Sequence, residues 1–149
     1  MNLGRAYKGE EIIFAVKIIA NEDTLVRPFN QTDGSRNISA DEIELDTKDG
    51  AGADYGKVTE EVSLDGIVTE GDPFVDFAKE AIRGKKFIEI YEINKRTLEA
   101  EKGEYMIQSF EKTYSNGEFA NYNLSAKLNG VVTKETITEI PEGAQDVNP

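Results

Sequence analysis

Six carboxylates between residues 41 and 54 are the first side chains of this sequence that could do chemistry. They are Asp41, Glu42, Glu44, Asp46, Asp49 and Asp54. A hard cation such as Ca²⁺ needs several oxygen ligands that converge on one point. Counted from Asp46, the calcium loop of an EF-hand would require acids where this chain has Lys48 and Gly50. Residues 50–54 resemble half of a calcium-binding repeat, but it occurs once and such repeats work in arrays. We therefore predict a solvated acidic segment without a metal.

Paired carboxylates could also act as acid and base in glycoside hydrolysis, which needs two of them facing one substrate. Glu60 and Glu61 are adjacent, and Glu89 and Glu92 are three residues apart, so within a strand the members of each pair point to opposite faces. The glycine-rich stretch 50–56 lacks the spacing of a dinucleotide-binding loop. The chain has no histidine and no cysteine, which removes the commonest general base, thiol catalysis and disulfides. We expect neither a catalytic site nor a cofactor.

The overall charge restricts the class of partner. The chain has 149 residues and a net charge of −12. Such a balance argues against a surface that wraps nucleic acid by neutralising phosphates, but it permits a surface past which nucleic acid slides. No apolar run approaches the roughly 18 residues that a membrane span needs, so we expect no membrane contact. With no export signal evident, we expect folding in a cytoplasm.

The length predicts a single domain, 1–149. We expect a flexible N-terminal arm over residues 1–10 and a loose polar tail over 141–149.

One helix is predicted from clear local signals over Pro73–Arg83. Asp72 can cap its first turn, and Pro73 suits the first helical position. Gly84 can take the left-handed position that follows a helix. An apolar stripe at helical spacing consists of Phe74, Phe77, Ala78, Ala81 and Ile82. We assign this stripe to the core rather than to a docking face.

The remainder of the chain is predicted to be mostly β structure. The predicted strands are 11–19, 25–29, 58–68, 87–93, 105–114, 119–128 and 131–140. In the first of these both alternating sets are apolar, which is typical of a strand buried on both faces. Two Asn-Gly turns, at 116–117 and 129–130, predict that the last three strands form an antiparallel meander. Residues 94–104 are predicted to be a charged connector. The fold class is therefore α+β and mostly β, an antiparallel sandwich or part-barrel with one packed helix.

Residues 30–57 form the second informative region, which is polar and rich in glycine and acids. We predict a long extended loop, which in a small domain is usually functional. Ile43 and Leu45 alternate with acids, so part of the loop could form a two-stranded arm. Such an arm is marginally stable without a core and would require a partner.

The order of these segments resembles the major tail protein family of long-tailed bacteriophages, typified by that of a lactococcal phage. The resemblance spans residues 8–140, and the ordered combination carries it rather than one motif. The matching segments are 12–17, the acid-rich 39–49 with its ending Asp-Thr-Lys-Asp-Gly at 46–50, 58–64, the Gly-Asp-Pro at 71–73, 87–93 and 107–128.

The resemblance implies a structural protein of the virion, assembled in the host cytoplasm. Its subunits would form hexameric rings that stack into the tail tube, and their strands would join in one barrel around a channel for DNA. The helix would pack outside the barrel, and the loop 30–57 would reach the neighbouring ring. The contact residues implied within it are Asp46, Lys48, Asp49, Gly50, Gly52, Asp54 and Tyr55.

The resemblance also implies partners. These are other copies of the chain, a tape measure protein inside the tube, a tail terminator and a distal tail protein, while DNA passes without specific binding. From polarity alone we select Glu89, Asn121, Asn123 and Ser125 as candidates to face the channel, where carboxylates would repel phosphates. An ordinary solvated face would account for the same residues.

Two other functions stay open. One is a small β-sandwich binding or adaptor module of the virion. The other is the inner tube of a contractile tail or of a tail-derived secretion machine, which shares the fold.

Overall fold

Antiparallel strands make up most of the structure, a computed structural model that describes residues 4–19, 23–28 and 30–138. After a 3₁₀ turn at Gly9–Glu11, the elements are β1 (Ile12–Ile19), β2 (Asp23–Val26), β3 (Gln31–Thr47), β4 (Gly50–Ile67), α1 (Pro73–Arg83), β5 (Ile88–Asn94), β6 (Glu99–Thr113), β7 (Asn121–Leu128) and β8 (Thr133–Thr136). The predicted tail 141–149 lies outside the described residues. No helix in the described ranges is long and apolar enough to span a membrane.

The strands form one sheet in the order β2-β1-β5-β6-β7-β4-β3. The predicted meander is correct for β6 and β7 but wrong for the last strand, because β8 pairs with β6 from Glu99↔Thr136 to Lys102↔Thr133. The ladder of β7 on β6 begins only at Tyr105. The first residues of β6 therefore have no partner in β7, and β8 pairs with them instead.

The connector predicted at 94–104 is also wrong, since its second half is the beginning of β6. Residues 95–97 make the turn, and buried Ala100 and Gly103 lie among the charged residues that follow. Glu99 and Glu101 lie on one face of the strand and Lys102 and Glu104 on the other, so no alternation of charged and apolar residues distinguishes this segment from a loop.

The helix forms over the predicted residues. The Asp72 carboxylate accepts a hydrogen bond from the Phe74 amide at 2.9 Å, as the capping signal predicts. At the other end the left-handed residue is Lys85, with φ of 57°, whereas Gly84 has φ of −86°. The amide of Lys86 donates to the Ala81 carbonyl at 2.8 Å and that of Lys85 to the Ile82 carbonyl at 3.1 Å. This double closure moves the left-handed position one residue beyond the predicted glycine.

The main core lies between α1 and one face of the sheet. Phe74, Ala78 and Ala81 are buried in it, and Phe77 and Ile82 pack against it partly buried. The Phe74 ring lies 5.6 Å from Tyr122 and 6.5 Å from Phe110, measured between ring centroids. The apolar stripe of the helix thus faces the sheet.

The opposite face of the sheet carries a second, smaller core. It contains Ile13, Ala15, Tyr91, Ile93 and Ala100. Because Phe14 and Val16 belong to the first core, β1 is buried on both faces, as its two apolar sets predict.

The sheet curls until its two ends approach each other. The Gln31 side chain at the start of β3 accepts a hydrogen bond from the Phe14 amide at 3.0 Å and donates one to the Phe14 carbonyl at 2.7 Å. A methyl group added at Gly34 would lie 2.5 Å from Phe14 Cε2, so this close approach requires glycine. A side chain thus bridges β1 and β3 where a closed barrel would have a strand ladder. The predicted mostly β part-barrel with one packed helix is confirmed.

Candidate functional site

The region predicted as a loop at 30–57 is a long, regular β-hairpin. Strands β3 and β4 pair from Gln31↔Gly66 to Thr47↔Gly50, with two register shifts, one between Gln31 and Asp33 and one between Ala40 and Glu42. At the tip, the Thr47 hydroxyl accepts a hydrogen bond from the Asp49 amide and donates one to the Gly50 carbonyl. The segment is therefore a two-stranded arm and not a structureless loop. Strand pairing satisfies backbone hydrogen-bonding groups that in a loop would have only water as a partner.

The outer part of this hairpin, residues 38–58, leaves the body of the protein, and we call it the hairpin arm. Nearly all of it is exposed, with Tyr55 80% accessible. At about 3.3 Å per residue, the strand from Ile38 to Thr47 projects roughly 30 Å. Its exposed large apolar residues are Ile38, Ile43, Leu45, Tyr55 and Val58. A hairpin without a core of its own that exposes such residues has the character of a partner-binding surface.

The hairpin arm contains all seven contact residues that the family resemblance implies. Asp46, Lys48, Asp49 and Gly50 are at or beside the tip, and Gly52, Asp54 and Tyr55 pair with Leu45, Ile43 and Glu42. The six acids are spread along two extended strands, against only Lys48 and Lys57. Across the described parts of the chain, no group of three acidic side chains could hold a metal ion.

One guanidinium joins four strands where the hairpin arm begins. Arg36 Nη2 lies 2.9 Å from Glu60 and 2.8 Å from Glu101, and Nη1 lies 3.4 Å from Glu92. Burial opposes the charged form, but the hydrogen bonds to Glu101 and Glu60 outweigh it and raise the pKa of Arg36. The hydrogen bond from Arg36 lowers the pKa of Glu101.

This cluster was not predicted from the sequence. Glu60 interrupts the apolar alternation of β4, and Glu92 does the same in β5. Two charges at inward positions of different strands are a signal for a shared buried counterion.

A second candidate surface is polar and lies on the sheet face opposite α1. Along β7, Tyr122, Leu124 and Ala126 are buried, whereas Asn121, Asn123 and Ser125 point the other way. Ser125 pairs with Ser63 of β4, and Asn123 pairs with Asp65. The Asn123 amide donates hydrogen bonds to Ser63 Oγ at 3.2 Å and to Asp65 Oδ1. The surface extends over the edge strand β3, where Asp33 and Ser35 pair with Asp65 and Ser63.

We call this surface, made of Asp33, Ser35, Ser63, Asp65, Asn121, Asn123 and Ser125, the polar face. It contains three of the four residues selected for the channel. The fourth, Glu89, lies on β5, two strands from β7. Its carboxylate is 3.8 Å from Lys17 Nζ, and it shares its strand face with Tyr91 of the second core. Glu89 therefore lies on the same sheet face as the other three, opposite α1, but two strands away from them.

Several solved structures share this fold. The tail of an empty gene transfer agent particle, refined with C6 symmetry, matches with a TM-score of 0.72 at 15% identity over 86% of this chain and 98% of that chain. The SPP1 tail tube matches with a TM-score of 0.70 at 18% identity, over 89% and 80%. The tube-terminating cap of the anti-feeding prophage matches with a TM-score of 0.62 at 18% identity, over 92% and 95%.

The sequence also matches a family model. A comparison with curated proteins gives no match. The model of the phage tail tube protein covers residues 6–134, which include both cores, the hairpin arm and the polar face. It confirms the resemblance to tail proteins described above. This chain belongs to the phage tail tube protein family.

Proposed function

We propose that copies of this chain form hexameric rings, and that the rings stack into the tail tube of a virion that conducts DNA. The observation that carries the proposal is the hairpin arm, which exposes large apolar side chains outside the body of a member of the tail tube family. The C6 symmetry of the similar gene transfer agent tail supports six subunits per ring.

The borders of the sheet supply contacts within a ring. Within the described residues β3 and β2 are the outermost strands, and β3 pairs with β4 alone. An open strand edge is a template for pairing with another chain. In a ring with cyclic symmetry, one edge of each subunit can meet the other edge of the next subunit, so that a closed ring leaves no edge free. The assembled state also buries apolar surface that the single chain exposes.

The polar face fits the wall of a channel for DNA. It presents amides, hydroxyls and the carboxylates of Asp33 and Asp65, whose charge repels phosphates. DNA then passes without the phosphate contacts that would hold it. Asn121, Asn123 and Ser125 are our proposed channel residues. Glu89 is a fourth candidate, on the same side of the sheet but two strands away, with its carboxylate 3.8 Å from Lys17 Nζ.

The proposed role needs no catalytic chemistry, and we assign no catalytic residue. The partners beyond the chain itself would be a tape measure protein in the channel, and a terminator and a distal tail protein at the ends. The likeness to a tube-terminating cap supports a related fold at one end. A sheath–tube complex of an extracellular contractile injection system matches with a TM-score of 0.57, below the 0.72 of the gene transfer agent tail, so we prefer the tail tube of a phage-like particle.

Assembly of the purified chain tests this proposal. We expect concentrated protein to form tubes with sixfold end views in negative-stain microscopy. A variant in which Asn-Gly replaces residues 44–53 should keep its circular dichroism and melting temperature but form no tubes. As a matched pair, Tyr55→Ser should reduce tube formation and Phe119→Ser should not, although both rings are 80% exposed. A chain that stays monomeric at every concentration would overturn the proposal, as would tubes of the shortened variant.

A further inference from the structure

A groove at the C-terminal end of α1 combines an apolar floor with a basic rim. It has a volume of about 350 Å³. Its lining consists of Ala81, Ile82, Phe87, Met106 and Ile107, with Lys85 and Lys86 at the rim. Phe87 and Met106 are about half exposed, at 49% and 46%. We call this the helix-end groove.

The end of the helix holds the two lysines in place. The double hydrogen-bond closure from Lys85 and Lys86 to the Ile82 and Ala81 carbonyls fixes the backbone of both residues. Among the residues that the structure describes, no acid lines the helix-end groove. In a chain with a net charge of −12, this makes it a locally positive site next to exposed apolar side chains.

We propose that the helix-end groove receives the tip of the hairpin arm of a second copy of this chain. This inference rests on the proposed assembly and names the surface that receives the arm. Ile43 and Leu45 are two residues apart in β3 and therefore share a face, which suits the apolar floor. Asp54 pairs with Ile43 and so lies on the same face, and Asp49 lies in the turn at the tip, so these two acids suit a rim of two lysines.

Charge argues against another groove as the receptor. A groove of about 320 Å³ lies beside the start of β6 and is lined by Glu92, Glu99, Glu101 and Glu135, with Lys134. Its excess of carboxylates would repel an arm that carries six of its own.

Cross-linking tests the contact directly, because the natural chain contains no cysteine. We would mix Leu45→Cys and Phe87→Cys chains in equal amounts, assemble them and add a short bismaleimide. We expect a heterodimer band that appears only in assembled protein. Pairing Leu45→Cys with Tyr114→Cys, an exposed position outside the groove, should give no such band. Tubes without the Leu45–Phe87 product would overturn this inference and leave the proposed function intact. Failure of the natural chain to form tubes would instead count against the proposed function.

A charge exchange provides the second readout. The double variant Lys85→Glu, Lys86→Glu should fold normally and lower tube yield at least tenfold. Adding Asp49→Lys and Asp54→Lys to the same chain should restore tubes, whereas adding Glu99→Lys and Glu135→Lys, in the acidic groove, should not. Unchanged tube yield in the first variant, or equal rescue by both additions, would overturn the inference.

Discussion

Arg36 and Glu101 are joined by a hydrogen bond of 2.8 Å between Nη2 and Oε1, although 65 residues separate them in the chain. The bond ties the base of the hairpin arm to β6, while Glu60 and Glu92 hold the same guanidinium from β4 and β5. This side chain therefore ties the base of the hairpin arm to the body, together with the ladder between β4 and β7. The direction of the arm decides where a neighbouring subunit meets it.

Replacing that guanidinium should destabilise the monomer. In Arg36→Met the three carboxylates would face one another without a counterion, and we expect the free energy of unfolding to fall by about 1–3 kcal/mol. The hydrogen bond from Arg36 lowers the pKa of Glu101 in the natural chain, so the stability difference between the natural chain and Arg36→Met should shrink as the pH falls below about 4.5. Urea denaturation at neutral and acidic pH measures this. Arg5→Met removes a 73% exposed partner and should cost less than about 0.5 kcal/mol. Equal losses in the two variants would contradict the assignment.

The N-terminal segment should detach in acid. Hydrogen bonds from Arg96, at 2.7 and 2.9 Å, lower the pKa of Glu11 from 4.5 to about 2. A carboxylate whose pKa is lower in the folded state stabilises it above about pH 4.5, and this contribution is lost as the pH falls toward 2. NMR titration should show Glu11 and the Tyr7 ring, which lies 4.1 Å from Arg96 Cζ, changing together.

Two variants separate the causes of that pKa shift. Arg96→Gln should return the pKa of Glu11 most of the way to 4.5, because its hydrogen bond is the largest contribution. Arg5→Gln should have a small effect, since the charge of Arg5 contributes least. A larger change with Arg5→Gln would contradict the geometry.

Two glycines in β4 should respond very differently to alanine. A methyl group at Gly66 would lie 2.5 Å from the hydroxyl oxygen and 2.6 Å from Cζ of Tyr122, whose ring is buried. We expect Gly66→Ala to cost about 1–3 kcal/mol through overpacking. At Gly52 nothing lies within 4 Å, so Gly52→Ala should be neutral or slightly stabilising. Chemical denaturation of both monomers checks this, and similar costs would refute the packing argument.

The helix depends on one aromatic anchor. Phe74 is fully buried between Phe110 and Tyr122, and truncation leaves a cavity beneath α1. We expect Phe74→Ala to lower the free energy of unfolding by about 3–5 kcal/mol. Phe119→Ala, which removes an 80% exposed ring, should stay within about 0.5 kcal/mol. A small loss at Phe74 would mean that α1 is not anchored through this ring.

Positive charge on the polar face should change how a tube treats DNA. Tubes of the double variant Asn121→Arg, Ser125→Arg should retain short duplex DNA in a salt-dependent manner, because arginine would neutralise phosphates. Co-sedimentation at low and high salt measures this. Glu80→Arg, an exposed position on α1, should not have the effect if the helix lies outside the channel. Retention by the helix variant alone would move the channel to the other side of the subunit.

The helix could be predicted to the residue because its signals are local. Asp72, Pro73 and the apolar spacing all act within four residues of one another. The two-sided burial of β1 was equally evident from its two apolar sets. Strand pairing is different, since it depends on residues far apart in sequence. The place of β8 beside β6 follows from where the β7 ladder starts, which no local pattern contains.

The candidate site was only partly predictable for a related reason. The hairpin arm is polar on both faces in most of its length. The alternation of Ile43 and Leu45 with acids is too short to predict two long strands, and the length and acids of the segment indicated a loop. The Arg36 cluster needs four strands to be in place before its charges meet. Asn121, Asn123 and Ser125 share a strand and so share a face by alternation, whereas the position of Glu89 on that same face follows from the register of β5, β6 and β7, which no local pattern contains.

The contact between Gln31 and Phe14 also prevents another strand from pairing with β1 at Phe14. Its carboxamide uses both backbone groups of Phe14 that a foreign strand would need. A strand of another chain placed beside β1 would find neither a free donor nor a free acceptor at Phe14. The outer edge of β3 pairs with no other strand of the described residues. One glutamine thus makes the edge of β1 at Phe14 unlike the edge of β3, and in the proposed ring β3 is the edge that a neighbouring subunit would pair with.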